Sequence, residues 1–232
     1  RPPRSTLFPY TTLFWSGKVE RTKNRPLVTG QVNGFEAITL FFILVSLSAS
    51  LLFWTNKLTV IVACIGLIIA VIYPLTKRFF ELPQIFLGLA FSWGILMVSA
   101  AELDKISSTS LIIFSACFFW IMAYDTAYAM SDREGDLSIG LKSSAITFGK
   151  YSQKLVITFH LISLCLWSFS GFVEKINPIF YASIIVCLVL VFFQFLLIRD
   201  ENPEKCFTAF KRNNWIGISI LLGTIFSSIL ES

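Results

Sequence analysis

The chain has 232 residues, of which 55% are hydrophobic, 16% aromatic and only 14% charged. This composition lies well outside the usual range of soluble domains, so the sequence indicates a membrane protein and excludes an ordinary soluble enzyme. The net charge of +5 predicts contact with membrane lipid and requires no nucleic acid, because basic residues beside membrane spans orient a protein and meet anionic lipid.

Residues 1–16 form an unusual amino-terminal segment. It begins without Met, has no long apolar core and lacks the layout of a signal peptide. It resembles the translated sequencing-adaptor segment sometimes left at the ends of assembled environmental genes. We therefore expect a non-native tail that packs poorly, followed by a domain over residues 17–232. The alternative interpretation is a genuine extramembrane tail containing proline.

A basic loop follows at residues 17–25, before the first apolar run. Arg21 and Arg25 lie four residues apart, and a guanidinium group binds phosphate in a bidentate way, so the pair is a candidate clamp for an anionic head group. The alternative is a basic patch that only orients the protein in the membrane.

Seven apolar runs are long enough to cross a bilayer core about 30 Å thick. The loops at one set of ends carry fourteen Lys and Arg residues, whereas the alternating loops carry three. By the positive-inside rule, the basic loops are expected on the cytoplasmic side. The runs cover approximately residues 36–55, 58–74, 84–101, 108–130, 154–173, 178–198 and 213–230.

The second basic connection begins with a tyrosine and a lysine at helical spacing. Tyr73 and Lys77 lie four residues apart at the end of an apolar run. A hydroxyl and an ammonium group both suit phosphate oxygens, so the two residues are candidate diphosphate ligands. The alternative is an interfacial tyrosine beside a lysine whose stem covers apolar surface.

The stretch from residue 124 to residue 151 holds four of the 14 carboxylates of this apolar protein, among them three of its five aspartates. If it begins as a helix, Asp125, Asp132 and Asp136 fall within about 40° on one face. Such an acidic cluster suits Mg²⁺, which is usually held by a few carboxylates and substrate phosphates. Lys142, beyond Gly135, could reach a phosphate oxygen. The alternative is a solvated loop between helices.

Other chemistry has little support in the sequence. The five cysteines lack a short metal-binding spacing and indicate a chain without disulfides. His160 lies in an apolar run, where we expect an interhelical hydrogen bond rather than a metal site. Residues 199–212 could form a short interfacial helix with Phe207 and Phe210 on one face.

Several stretches together resemble the UbiA superfamily of intramembrane aromatic prenyltransferases, most closely its members that prenylate 4-hydroxybenzoate. A YxxxK loop, a DxxxD loop and a basic loop occur in the family's order, on one predicted side of the membrane. The stretches are GKVERTKNRPL, YPLTKRFFELPQIFLGLAFSW, AYDTAYAMSDREGDLSIGLKSSAITFGKY and CFTAFKRNNWIG.

This resemblance implies an all-α transmembrane bundle of nine helices with a central cavity. It also implies transfer of a polyprenyl group from a polyprenyl diphosphate to 4-hydroxybenzoate in ubiquinone biosynthesis, in the bacterial inner membrane. Asp132 and Asp136 match the family's second aspartate-rich motif, which would hold Mg²⁺ on the diphosphate. Asp125 would orient the aromatic acceptor or a second ion.

The family's basic positions carry over in the same way. Tyr73 and Lys77 match the YxxxK motif that contacts diphosphate, and Arg21, Arg25 and Lys142 match basic positions around the pocket. The family's first aspartate-rich motif should end near Ser16 and is not present there. We therefore expect a domain with about seven of the nine helices and little activity as it stands.

Two alternative functions remain open from the sequence. A related prenyltransferase could use another acceptor, such as the rings modified in haem or menaquinone synthesis. A multi-span transporter would also explain the hydrophobicity and the polar residues within spans, but it would not explain three successive charged loops on one side.

Overall fold

The computed structural model describes residue 24, residues 26–76 and residues 79–231, with residues 139 and 231 described by their backbone alone. The segment 1–16 lies outside this part, and so do Arg21, Arg25 and Lys77. No β-strand occurs within the described ranges, so the all-α prediction is confirmed. The chain divides into two compact units, Arg1–Thr55 and Asn56–Ser232.

The first unit contains a short helix α1 (Pro26–Thr29), the long helix α2 (Gly34–Ser50) and a 3₁₀ turn (Leu51–Trp54). Asn33 and Glu36 start α2 with a capping box, in which each side chain accepts a hydrogen bond from the backbone N–H of the other residue. This satisfies two of the donors that a helix start leaves open. None of the α2 residues is buried, as suits a helix whose apolar side chains meet lipid.

The second unit is a bundle in which α5 packs against α4, α7 and α9, and α8 packs against α7 and α10. A short helix α6 and a 3₁₀ turn at Gly149–Tyr151 connect α5 to α7. The helices are α3 (Lys57–Thr76), α4 (Gln84–Leu103), α5 (Ser108–Ile139), α6 (Ser144–Phe148), α7 (Ser152–Val173), α8 (Ile179–Ile198), α9 (Pro203–Arg212) and α10 (Asn214–Glu231).

Seven helical segments of the described chain are long and apolar enough to cross a membrane, and each overlaps one of the seven predicted runs. The protein is thus a multi-pass membrane protein. The agreement has a simple cause. In hydrocarbon every backbone polar group must be satisfied within its own segment, so a long apolar run has little choice but to be a helix.

Helix α5 is longer than the sequence analysis predicted. It has 32 residues, which corresponds to about 48 Å at 1.5 Å per residue, whereas the predicted run ended near residue 130. Gly140 stops it at φ +71°, and its N–H donates to the carbonyl of Leu137. The alternative interpretation, a solvated loop between helices, is wrong for residues 132–139, because no proline or other breaker interrupts the polar end of the helix.

The segment 199–212 contains the expected short helix, α9. Asn202 caps it by accepting a hydrogen bond from the Lys205 N–H at 3.1 Å. Phe207 and Phe210 share one face and stack on each other with ring centroids 6.0 Å apart. That face meets aromatic side chains of α5, so the two phenylalanines contribute to packing within the bundle.

Candidate functional site

The three predicted aspartates lie on the single helix α5, as the spacing predicted. Sharing a face does not bring all three together, because the helix rises about 1.5 Å per residue. Asp125 and Asp136 are therefore separated by roughly 16 Å along the axis, and Asp132 and Asp136 by only about 6 Å. Among the described residues, no three His, Cys, Asp or Glu side chains form a group able to hold a metal ion. The predicted cluster is a pair of neighbours with a third carboxylate further along.

The aspartate face of α5 points away from the helix's small buried residues. Ala123 and Ala127 are fully buried in a core shared with α7, α8 and α9, and helical geometry puts them about 160° from Asp125. All three aspartates are half-buried. This leaves one face of α5 for carboxylates while the opposite face packs the bundle, where small residues let helices approach closely.

Tyr73 lies at the last turn of α3, where the sequence predicted a diphosphate ligand. Its side chain is half-buried and interacts electrostatically with Asp125 and Tyr124 of α5. The α3 end and the aspartate-bearing part of α5 are therefore neighbours. Lys77, the second residue of the motif, lies outside the described residues, so its contact with this site stays a prediction.

Lys142 lies just after the end of α5 and reaches the α3–α4 connection. Its Nζ donates to the Phe79 carbonyl at 3.4 Å, and the Thr147 hydroxyl donates to the Glu81 carbonyl at 2.8 Å. The Ser144 N–H donates to Gln84 Oε1 at 2.9 Å. The two connections meet at one end of the second unit, and we call it the aspartate end. Tyr73, Lys142 and the aspartates thus lie at this end, while Arg21 and Arg25 lie outside the described part.

Sequence reasoning missed one feature of this end, the side-chain partners of Arg133. Its guanidinium forms an ion pair with Glu201 and donates to the Gly149 carbonyl at 3.2 Å and to Ser152 Oγ at 3.0 Å. Gln153 also donates to Glu201 at 3.1 Å. Arg133 therefore ties the end of α5 to the starts of α7 and α9, immediately beside Asp132. Nothing in the local sequence pattern pairs it with a residue 68 positions away.

A second missed feature is an aromatic cluster, composed of Trp120, Tyr124, Tyr128, Phe207 and Phe210. Tyr128 and Phe210 have ring centroids 4.8 Å apart, and Tyr124 meets Trp120 edge to face at 5.6 Å. The three α5 rings recur at intervals of four residues, a spacing that could have indicated a shared face. Their stripe is about 60° to 140° from Asp125 around the helix, so it runs beside the aspartate face.

His160 is almost fully buried in α7, and all five cysteines are free thiols. The adjacent Gln194 of α8 is a partner for the expected hydrogen bond of His160. By strict geometry, however, the His160 Nε2 makes no hydrogen bond with the described residues. The Nε2 atom of the ring therefore lacks a well-formed bond although Gln194 is adjacent.

Comparisons with known proteins cover most of the chain. Residues 17–216 match the pattern described as the UbiA prenyltransferase family. The 4-hydroxybenzoate octaprenyltransferase of Coxiella burnetii (strain CbuK_Q154) is 41% identical over 209 residues, which are 90% of this chain and 73% of that protein. The protein of the same name from Psychromonas ingrahamii is 44% identical over 207 residues, 89% of this chain and 72% of its own length.

A solved structure has the same fold. The apo structure of a UbiA homolog from Aeropyrum pernix K1 superimposes with a TM-score of 0.79 at 25% identity, covering 94% of this chain and 81% of that one. The family pattern spans most of the chain, and the relatives exceed 40% identity over nine-tenths of it. The chain therefore belongs to the UbiA prenyltransferase family.

Proposed function

We propose that this chain transfers a polyprenyl group from a polyprenyl diphosphate to the ring of 4-hydroxybenzoate, a step of ubiquinone biosynthesis. The observation that carries this proposal is the identity of 41% and 44%, over about nine-tenths of the chain, with proteins named 4-hydroxybenzoate octaprenyltransferase. The arrangement of the aspartate end supports it, because carboxylates, a tyrosine hydroxyl and a lysine meet there.

In this proposal Asp132 and Asp136 hold Mg²⁺. Two carboxylates one helical turn apart offer the hard oxygen ligands that this ion prefers, and Mg²⁺ usually keeps water and substrate phosphate as its other ligands. Two protein carboxylates therefore fit the ion, although the described residues offer no third ligand of the same kind. When bound, the ion would neutralise negative charge on the diphosphate.

The basic and hydroxyl groups bind and orient the diphosphate. Lys142 and Tyr73 lie at the aspartate end, and we assign Arg21, Arg25 and Lys77 to the same task from their motifs. The positive charge of the lysines and arginines and the hydroxyl donor of Tyr73 stabilise the diphosphate as it leaves with the electron pair of the allylic C–O bond. This role requires that the lysine exchange its weak 3.4 Å bond to Phe79 for a phosphate oxygen.

The aromatic cluster supplies a wall that tolerates positive charge on the prenyl group. Aromatic faces attract cations because their π-systems are negative at the face. The ring carbon ortho to the phenol of 4-hydroxybenzoate forms the new C–C bond and then loses its proton. Asp125 lies next to Tyr124 in the chain and within electrostatic range of Tyr73, so we assign it to orienting the acceptor.

The proposal includes a location in the bacterial inner membrane, with the aspartate end on the cytoplasmic side. Its support is the excess of basic residues in the alternating loops that the sequence predicts on one side of the membrane, fourteen against three, together with the positive-inside rule.

The test is transfer of octaprenyl from its diphosphate to labelled 4-hydroxybenzoate, in membranes that contain the chain and Mg²⁺. We expect Asp132→Asn to lower kcat/KM by about 10²- to 10³-fold, because it removes charge that binds the metal. Chelation of divalent ions should have a similar effect.

The matched control is Asp104→Asn at the other end of the bundle. Asp104 has φ +49°, a conformation that asparagine also adopts readily, so this variant should keep full activity. Undiminished turnover of Asp132→Asn would remove that residue from the mechanism. Transfer to another aromatic ring but not to 4-hydroxybenzoate would show that the proposed acceptor is wrong.

A further inference from the structure

A groove of about 260 Å³ lies between α8 and the junction of α9 with α10. Phe193 and Trp215 in its lining are more than half exposed, so the groove opens on a surface that hydrocarbon covers in a membrane protein. We call it the lipid-facing groove. It contains none of the residues assigned to prenyl transfer. Its lining residues are Leu190, Phe193, Gln194, Leu197, Arg212 and Trp215.

The floor of this groove carries a polar group that lacks a partner. Gln194 is only 3% exposed, and its Oε1 accepts a hydrogen bond from Asn213 Nδ2 at 3.3 Å. Its Nε2 makes no hydrogen bond with the described residues. The neighbouring His160 does not supply a well-formed bond, as described above. An unsatisfied donor is unfavourable in hydrocarbon, so an oxygen acceptor entering the groove would be favoured.

The rim of the groove carries an unneutralised positive charge. Arg212 is the last residue of α9 and is exposed. The described chain offers its guanidinium no hydrogen bond and no ion pair, in contrast to Arg199, which pairs with Asp200 at 3.3 Å. Trp215 stands one turn further on, a residue type enriched at the boundary between head groups and hydrocarbon.

We propose that this groove binds an anionic phospholipid. The phosphodiester lies on Arg212, because guanidinium pairs with phosphate through two parallel hydrogen bonds. A carbonyl oxygen of the ester region accepts from Gln194 Nε2, and an acyl chain lies along Leu190 and Leu197. The volume equals roughly eight to nine water molecules at about 30 Å³ each, so the groove holds the glycerol region and the start of a chain rather than a whole lipid.

The combination of features selects the class of ligand. A zwitterionic lipid would bring its own cation to an already positive rim, whereas an anionic lipid neutralises it. Basic pockets between membrane helices are a recurring way to bind anionic head groups. A soluble phosphate would leave the apolar walls unused.

The experiment is native mass spectrometry of the chain purified in detergent and titrated with phosphatidylglycerol or phosphatidylcholine of the same acyl chains. We expect preferential binding of phosphatidylglycerol, and Arg212→Gln should weaken its first binding step about fivefold, the factor equivalent to roughly 1 kcal/mol per basic residue. Phosphatidylcholine binding should not change. Arg199→Gln is the matched control, since it removes the same charge outside the groove.

A second measurement locates the lipid independently of charge. Brominated phosphatidylglycerol at low mole fraction should quench the fluorescence of Trp215 more strongly than brominated phosphatidylcholine does. The contribution of Trp215 is the part of the quenching that is lost in Trp215→Phe. Equal weakening by Arg212→Gln and Arg199→Gln would show that general charge attraction, and not the groove, binds the lipid. Equal quenching of Trp215 by both lipids would likewise overturn the proposal.

Discussion

Both ends of the second unit carry carboxylates, but the side chains around these carboxylates differ between the two ends. At the aspartate end, the connections between helices are tied to one another by side chains, among them Lys142 on Phe79 and Arg133 on Glu201. At the opposite end, Glu102 and Glu174 line a cavity of about 430 Å³ together with serine and threonine residues. Glu174 accepts a hydrogen bond from Thr109 there.

The comparison teaches that carboxylates alone do not make a phosphate site. Both ends could attract a cation, but the aspartate end also carries many basic side chains, which the proposed diphosphate requires. The opposite loops carry only Lys57, Lys105 and Lys175. The two ends also differ in how they are held together, and three substitutions test that difference.

The largest effect is expected for Arg133→Gln at the aspartate end. Its guanidinium contacts two separate segments, the start of α7 and the residue Glu201 before α9, and its loss leaves the partly buried Glu201 without its cation. We expect a loss of about 2–3 kcal/mol in the free energy of unfolding, measured as a lower Tm in detergent. Arg199→Gln, an exposed arginine of the same region, should change Tm far less. Equal shifts for both variants would show that the Arg133 contacts do not stabilise this end.

A smaller effect is expected for Asn56→Ala at the opposite end. Asn56 Oδ1 accepts from the Thr59 N–H at 2.8 Å, and its Nδ2 donates to the Ala100 carbonyl at 2.5 Å. We expect a cost of about 1–2 kcal/mol, because the change removes a helix cap and a link between α3 and α4.

Asn56→Asp separates these two contributions. It keeps the acceptor for Thr59 and removes the donor to Ala100, so its thermal unfolding measures the link between the helices. If Asn56→Asp is as stable as the parent chain, the link contributes nothing and only the cap matters.

The smallest effect is expected for Asp200→Asn, just before α9. The hydrogen bond from Lys205 Nζ at 2.9 Å and the charge of that lysine lower the pKa of Asp200 below its ordinary value. A lowered folded-state pKa means that the stabilisation is present above the unfolded pKa and is lost as pH falls through the folded one. Because Asp200 is solvent-exposed, the Tm difference from Asp200→Asn should stay below about 2 °C.

Measuring the Tm difference between Asp200→Asn and the parent chain across the acid pH range checks the direction of the pKa shift of Asp200. It should be largest near neutral pH and disappear as the pH falls below the usual range of aspartate. A difference that grows towards acid pH would contradict the assignment of Lys205 as the partner that matters.

Part of the candidate site could be predicted because it depends on spacing along one helix. Asp125, Asp132 and Asp136 share a face for the same reason that any residues at i, i+7 and i+11 do. Their distances apart were misjudged, because angular proximity was taken as contact. The end of α5 was placed too early, since charged residues suggested a loop where the helix continues to Gly140.

Other parts of the site depend on residues that are distant in the chain. The pairing of Arg133 with Glu201 and the approach of Phe207 and Phe210 to Tyr128 require the rotation and crossing of helices. No periodicity in α5 or α9 alone specifies that rotation.

The sequence by itself determined that this is a multi-pass helical membrane protein. The physical reason is local, since apolar length dictates a span and a helix satisfies its own backbone. Only the tertiary structure decided what each helix face meets, including the ion pair of Arg133, the unpartnered amide of Gln194 and the exposed charge of Arg212. These depend on contacts between helices, where small residues and side-chain shape set the packing.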